Sequence, residues 1–214
     1  RELFSVSSQH YAFVVNAFVS LLKRADMTRY ELFLRETRTY EIIEDVKNFR
    51  SEIGVLFLNG YNRDVLTKMF DDNRLTYTSL FKARPHIFVS KSNPLAKHKV
   101  VSLEDLEDFP YLSYDQGIHN SFYYSEEILS QIPHKKSIVV SDRATLFNLL
   151  IGLDGYTIAT GILNSNLNGD NIVSIPLDVD DEIDIVYLKH QKATLSKMGE
   201  KFLDNLVKEV TFDN

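Results

Sequence analysis

The run Ile53-Gly54-Val55-Leu56-Phe57-Leu58 is unbroken in apolar character and bounded by polar residues. A strand of that kind is covered on both faces, as in a parallel sheet flanked by helices, whereas a half-solvated strand alternates. The residues before it are consistent with this demand. Leu3-Phe4-Ser5-Val6 predicts a short strand, and Phe13, Val14, Ala17, Phe18, Leu21 and Leu22 then recur at helical spacing, which predicts a helix over residues 11–23. Tyr30-Glu31-Leu32-Phe33-Leu34 alternates as a second strand. Thr39 is placed to cap a helix whose inward face is Ile42, Ile43, Val46 and Phe49, with Glu41 and Glu44 near its positive end. The opening therefore reads β-α-β-α-β, an α/β fold with its loops gathered at the carboxyl ends of parallel strands.

A second strand-helix-strand block follows. Strands are predicted over 75–80 and 85–90, then a turn at Asn93-Pro94 and a capping box formed by Ser102 and Asp105. Tyr111–Tyr114 reads as a strand opening into Asp115-Gln116-Gly117, followed by a helix near 122–131. A β-branched strand over 137–140 leads to Ser141-Asp142, which cap a helix to residue 150, and a strand over 156–159 follows. A strand over 183–188 precedes a last helix capped by Ser196, with Phe202, Leu203, Leu206 and Val210 inward. These boundaries give lobe I as residues 1–80, lobe II as 81–178 and a return to lobe I over 179–214. No Gly/Ser linker separates the lobes, so strands near 75–90 and 172–187 are expected to carry the chain across and back.

Charge and composition remove several function classes. The net charge is −6, with both signs interspersed and no basic stripe, so these residues are expected to bind no DNA by themselves. With no cysteine there is no disulfide, thiolate metal site or cysteine nucleophile. The histidines at 10, 86, 98, 119, 134 and 190 lack any spacing that would place two on one metal. A nucleophile elbow and a Gly-rich phosphate loop are also missing, so no catalytic residue, metal or cofactor is expected. Asp71-Asp72 and the acidic run 178–182 read as solvated loops. No apolar run reaches membrane-spanning length, and a cytoplasmic location is expected. The chain begins at Arg1 and enters a strand at once, which reads as a fragment of a longer protein.

Several stretches, covering nearly the whole chain, together resemble the effector-binding domain of LysR-type transcriptional regulators. The fullest is Pro85-His86-Ile87-Phe88-Val89-Ser90-Lys91-Ser92-Asn93-Pro94-Leu95-Ala96, continued by Val101-Ser102-Leu103-Glu104-Asp105-Leu106 and Phe109-Pro110. Glu31-Leu32-Phe33-Leu34-Arg35-Glu36 with Glu52-Ile53-Gly54-Val55 is a second, and Gly155-Tyr156-Thr157-Ile158-Ala159 a third, Thr157 standing where the family usually has glycine. The ending from Leu195-Ser196 through Phe202-Leu203-Asp204-Asn205-Leu206 is similar to the family's last helix. The resemblance implies two Rossmann-like lobes of the type II periplasmic-binding-protein fold, joined by two crossover strands, with an effector cleft between them. It also implies a homodimer, or a tetramer at full length, and DNA binding only through an amino-terminal winged helix-turn-helix absent from these residues. The alternative on the same fold is an extracytoplasmic solute receptor serving a transporter.

The binding residues follow from the rule that ligands sit beyond the carboxyl ends of parallel strands, at helix amino termini. Ser7, Ser8, Gln9 and His10 follow the first strand, although Ser7 or Ser8 could simply cap the helix after it. Thr37, Arg38 and Thr39 follow the second; Arg38 suits a carboxylate or sulfate, or else is a solvated surface residue. Ser113, Asp115, Gln116 and Gly117 are the candidates from the other lobe, with Ser141 and Thr145 weighed mainly as caps. The expected effector is a small anionic or zwitterionic metabolite. The Ser8-Gln9 pair with a nearby tyrosine resembles the branch of the family that regulates sulfur, cysteine and methionine supply.

Overall fold

The expected β-α-β-α-β opening is present in the computed structural model, which describes residues 2–24, 28–162 and 170–213. Two compact units result: unit 1 is Arg1–Phe81 with Asp184–Asn214, and unit 2 is Lys82–Ile183. In unit 1, β1 (Glu2–Ser8) lies parallel to both β2 (Tyr30–Glu36) and β3 (Ile53–Leu58), placing Ser8 opposite Glu36 and Val55. All of β3 is buried, as its apolar run requires. β10 (Ile183–His190) runs antiparallel to β3, and β4 (Leu75–Ala83) completes a sheet in the order β2-β1-β3-β10-β4.

Helix α2 (Thr39–Lys47) seats directly on β3, because a Cβ at Gly54 would stand 2.9 Å from the Cγ2 atoms of both Ile42 and Val46. Helices α1 (Ala12–Arg24) and α5 (Lys197–Asp213) pack together, and Phe202 sits 5.9 Å from the ring of Phe4 and 5.8 Å from that of Phe18. Ser196 caps α5 as expected, accepting from the Gly199 N–H at 3.0 Å.

Four readings of unit 1 change. β1 and β2 run two residues further than their apolar patterns, so Ser7 and Ser8 belong to the strand and cap nothing. Thr39 is the first helical residue of α2, and the cap position falls on Arg38, which makes no side-chain cap bond. Phe49, expected inward, is 63% exposed with φ 59°, because α2 ends at Lys47 and the chain turns through a left-handed residue. Its ring lies 4.5 Å from that of His190. Helix α3 (Arg63–Asp72) was not foreseen; it buries only Leu66 and Phe70.

In unit 2, β5 (His86–Ser90) is the centre of an antiparallel sheet with β8 (Thr157–Ala159) and β9 (Ile172–Pro176) on its two sides. β6 (Tyr111–Tyr114) and β7 (Ser137–Val140) form a parallel pair, with an isolated bridge from Tyr111 to Tyr156. Helix α4 (Arg143–Leu153) closes a core of Phe88, Leu112, Val140, Leu146, Leu150 and Ile172. Its cap is Asp142, which accepts the Thr145 N–H at 2.8 Å, and Ser141 takes no part in that cap bond. The Ser102–Asp105 box is reciprocal, at 2.9 and 3.3 Å. The helix expected over 122–131 is reduced to one 3-10 turn, Phe122–Tyr124. That stretch offers no apolar stripe to bury, since Phe122 is half exposed and the backbone turns left-handed at Leu129.

Among the described residues no helix is long and apolar enough to cross a membrane. Phe202 is fully buried, so Phe202→Ala is expected to lower the unfolding free energy by about 3–5 kcal/mol in a urea titration. A loss under about 1 kcal/mol would show that the three-ring cluster does not carry unit 1's core.

Candidate functional site

The candidate residues fall into two groups, each at the carboxyl ends of a parallel strand pair. The first is organised by Gln9, whose side chain is fully buried. Its Oε1 accepts the Phe57 N–H at 3.0 Å and the Tyr11 hydroxyl at 2.7 Å, and its Nε2 donates to Thr39 Oγ1 at 2.8 Å. The backbone N–H of Phe57 can only donate, which settles which end of the amide is oxygen. One side chain thus ties the end of β1 to the carboxyl end of β3 and to the first residue of α2. The Gln9 N–H donates to the Val55 carbonyl at 3.0 Å, and the Thr37 N–H donates to the Ser8 carbonyl at 2.9 Å, which brings in the end of β2.

The other candidates in unit 1 differ in what they touch. Ser8 Oγ donates to the Gln9 carbonyl at 2.6 Å. Ser7 Oγ donates to Asp45 Oδ2 at 2.7 Å and lies 2.7 Å from Ser51 Oγ, so it anchors α2 to the strand. Thr37 Oγ1 donates to Glu41 Oε2 at 2.7 Å, and Arg38 is paired with Glu41 at 3.6 Å while remaining 42% exposed. His10 is half-buried beside Gln9. The same strand-end rule should have included the turn after β3. There Asn59 Oδ1 accepts the N–H groups of Tyr61 and Asn62 at 3.1 and 3.0 Å, and Asn62 Oδ1 accepts the Asn59 N–H at 2.8 Å.

A groove of about 660 Å³ lies along α2 and shares only Thr37 and the helix flank with this group. Glu36, Glu41, Glu44 and Asp45 line it against Arg35 and Arg50, so an anion there would meet net negative charge. It is a poor match for the expected effector.

In unit 2 the parallel register places Ser113 opposite Val139 and Tyr114 opposite Val140, so Asp115 and Ser141 follow directly on the paired strand ends. The Asp115 N–H donates to the Val140 carbonyl at 2.8 Å, and Asp115 Oδ1 accepts the Gly117 N–H at 2.9 Å. Gly117 has φ 65°, where glycine carries no steric penalty. Gln116 Nε2 donates to Glu126 Oε2 at 3.3 Å, and Glu127 Oε2 accepts the Tyr114 N–H at 3.0 Å. Thr145 Oγ1 donates to Asp142 Oδ2 at 2.8 Å, which fits the capping role. Sequence reading missed Glu127, because an acidic residue in a polar stretch gives no sign of burial. Among the described residues no group of three or more His, Asp or Glu side chains could hold a metal ion.

Two α/β units, each with polar groups gathered at the carboxyl ends of its parallel strands, define a ligand-binding domain of the two-lobed periplasmic-binding-protein type. The chain belongs to the LysR substrate binding domain family, whose model matches residues 11–211, and it is thus the ligand-sensing domain of a LysR-type transcriptional regulator. Solved structures share the fold. The reduced OxyR regulatory domain from Pseudomonas aeruginosa matches with a TM-score of 0.67 at 12% identity, over 97% of this chain and 98% of that one. The BenM effector-binding domain with its effector benzoate matches at 0.64 and 15% identity, over 99% and 93%. The effector-binding domain of QuiR in complex with shikimate matches at 0.63 and 16%, over 97% and 96%. A search of curated proteins finds no match to the sequence.

The bonding of Gln9 alters what its removal should do. Gln9→Ala leaves the buried Phe57 N–H without an acceptor, so a stability loss of about 1–3 kcal/mol is expected even without ligand. Thermal or urea unfolding of that variant measures it, and unchanged stability would mean that the node does not hold the strand ends together.

Proposed function

We propose that the chain binds a small anionic or zwitterionic metabolite as the effector of a cytoplasmic LysR-type regulator, performs no catalysis, and acts on DNA only through a separate DNA-binding domain. The observation that carries this reading is the Gln9–Thr39 pair at 2.8 Å, which sets the first residue of α2 at the strand ends. The first N–H groups of a helix have no partner within it and favour an oxygen-rich anion. Arg38 stands at the cap of that helix with a guanidinium able to donate two parallel bonds. Ser8, His10 and Thr37 adjoin it, with Ser7 as a support. In unit 2, Ser113, Asp115, Gln116 and Ser141 form the second group, and carboxylates there suit an ammonium, which favours a zwitterion such as an acetylated serine over sulfate. BenM with benzoate and QuiR with shikimate are solved examples of the same fold holding small effectors. The solute-receptor alternative is disfavoured, because the matching family is that of the regulators.

A thermal-shift screen of amino acids, sulfur metabolites and small anions should yield a hit that raises the melting temperature, since ligand at about 100 times its Kd adds ~2.7 kcal/mol. Calorimetric titration of that hit into Arg38→Ala should show affinity reduced about 10- to 100-fold, the value of a lost charge-assisted hydrogen bond. The pair with Glu41 is exposed, so little stability should be lost with it. Unaltered affinity would place the anion elsewhere.

The working form is a homodimer, or a tetramer at full length. β2 is the edge strand of unit 1's sheet and carries Tyr30 and Phe33 exposed at 50% and 37%. On α1, Val15, Val19 and Leu22 remain half-buried after α5 has covered the rest. Sedimentation at high micromolar concentration should give a dimer of these residues; a monomer would refute the assembly.

A further inference from the structure

We propose that Glu127 is the positioning residue of unit 2's group of candidate binding residues: its carboxyl caps the edge of β6 away from β7 at Tyr114 and thereby holds Ser113, Asp115 and Gln116 in register. The proposal rests on the reading above that these residues meet the metabolite. N–H groups along a strand point alternately to its two sides. Those of Tyr111 and Asp115 donate toward the β7 side, to the carbonyls of Lys136 at 2.8 Å and Val140 at 2.8 Å. The Leu112 N–H donates the other way, to the Tyr156 carbonyl at 2.9 Å, where β8 begins. The next N–H on that side belongs to Tyr114, and its acceptor is Glu127 Oε2 at 3.0 Å instead of another strand. Glu127 is only 5% exposed. Its neighbour Glu126 takes the Gln116 side chain, so two consecutive acids hold two positions of one loop.

The Glu127 carboxyl is buried beside a second acid, Glu126. Burial first, and Glu126 second, push it well above the usual carboxylate range. Tyr111 of β6 is raised as well, by burial and by Glu127 itself, and Tyr156 is pushed up to about 12 by burial, so both stay neutral. His134, stacked 3.8 Å from the Tyr111 ring, is lowered by burial and is neutral at pH 7. Lys135 and Lys136 are turned to Glu107 and to the Asp108 carbonyl. Because the folded value lies above the unfolded one, the stability linked to Glu127 is fully present below the unfolded glutamate value. It is lost as pH rises through the raised folded value. The Tyr114 N–H favours the charged form, but burial and Glu126 outweigh it, so ionised Glu127 is drawn toward water, which frees that N–H and slackens the loop.

Amide hydrogen exchange over residues 112–118 tests this without any ligand, as protection corrected for intrinsic rates, in the wild-type domain, Glu127→Gln and Glu127→Ala. Wild-type protection at Tyr114 and Gly117 should fall at least about tenfold from mildly acidic to alkaline pH. Glu127→Gln, whose amide oxygen still accepts, should stay protected throughout, and Glu127→Ala should be unprotected throughout. Titration of O-acetylserine should follow the same order, with affinity lost in Glu127→Ala and rescued in Glu127→Gln. Protection that falls equally with pH in Glu127→Gln, or that survives intact in Glu127→Ala, overturns the proposal. Failure of O-acetylserine to bind any form, with the exchange pattern as expected, counts against the effector class and leaves the positioning role supported.

Discussion

The polar node at Gln9 is the constraint on which unit 1's candidate site depends. Where parallel strands end against a helix start, donors from the sheet and from the helix converge, and each that is buried needs a partner. A carboxylate at position 9 would bring charge into a fully buried setting, and an aliphatic residue would orphan the Phe57 N–H. An amide can accept twice and donate from the same plane, and here it does both. Position and chemistry are therefore coupled: the same bonds that finish the sheet also fix Thr39 at the helix terminus. Two residues back along the strand, Ser7 performs a parallel task, binding Asp45 and Ser51 and so clamping α2 at its second turn.

Much of this fold was legible because burial writes itself into periodicity. The residues of β3 are buried without exception and apolar without exception, and β6 and β7 also match their predicted bounds. The two clusters of candidate residues could be placed from the parallel-strand rule alone, with the family resemblance adding order. What failed did so for local reasons. The spacing of Phe49 from Ile42 and Val46 put it on the inward face, yet the helix stops before reaching it. Thr39 has the composition of a cap but lies one residue too late, and nothing in the sequence distinguishes a hydroxyl that caps from one that accepts from a distant glutamine. The missed residue Glu127 is the sharpest case. Its partner is a strand-edge N–H thirteen positions earlier, which is a property of the sheet and of no local pattern.

The two groups solve a common problem with different chemistry. At Gln9 both donors and acceptors must be satisfied, so only an amide serves. Glu127 accepts from backbone N–H groups, that of Tyr114 and its own, and a glutamine oxygen there would satisfy them as well. The carboxyl adds nothing to the packing that an amide of equal size would lack, and burial beside Glu126 makes its charged form costly. What it does add is a proton that can leave. Unit 1 thus holds its strand ends through a bond that no pH change in the physiological range can alter, whereas unit 2 holds its loop through one that a proton controls. A sensor built in this way would keep the group in unit 1 fixed while the order of the loop in unit 2 follows the acidity around it.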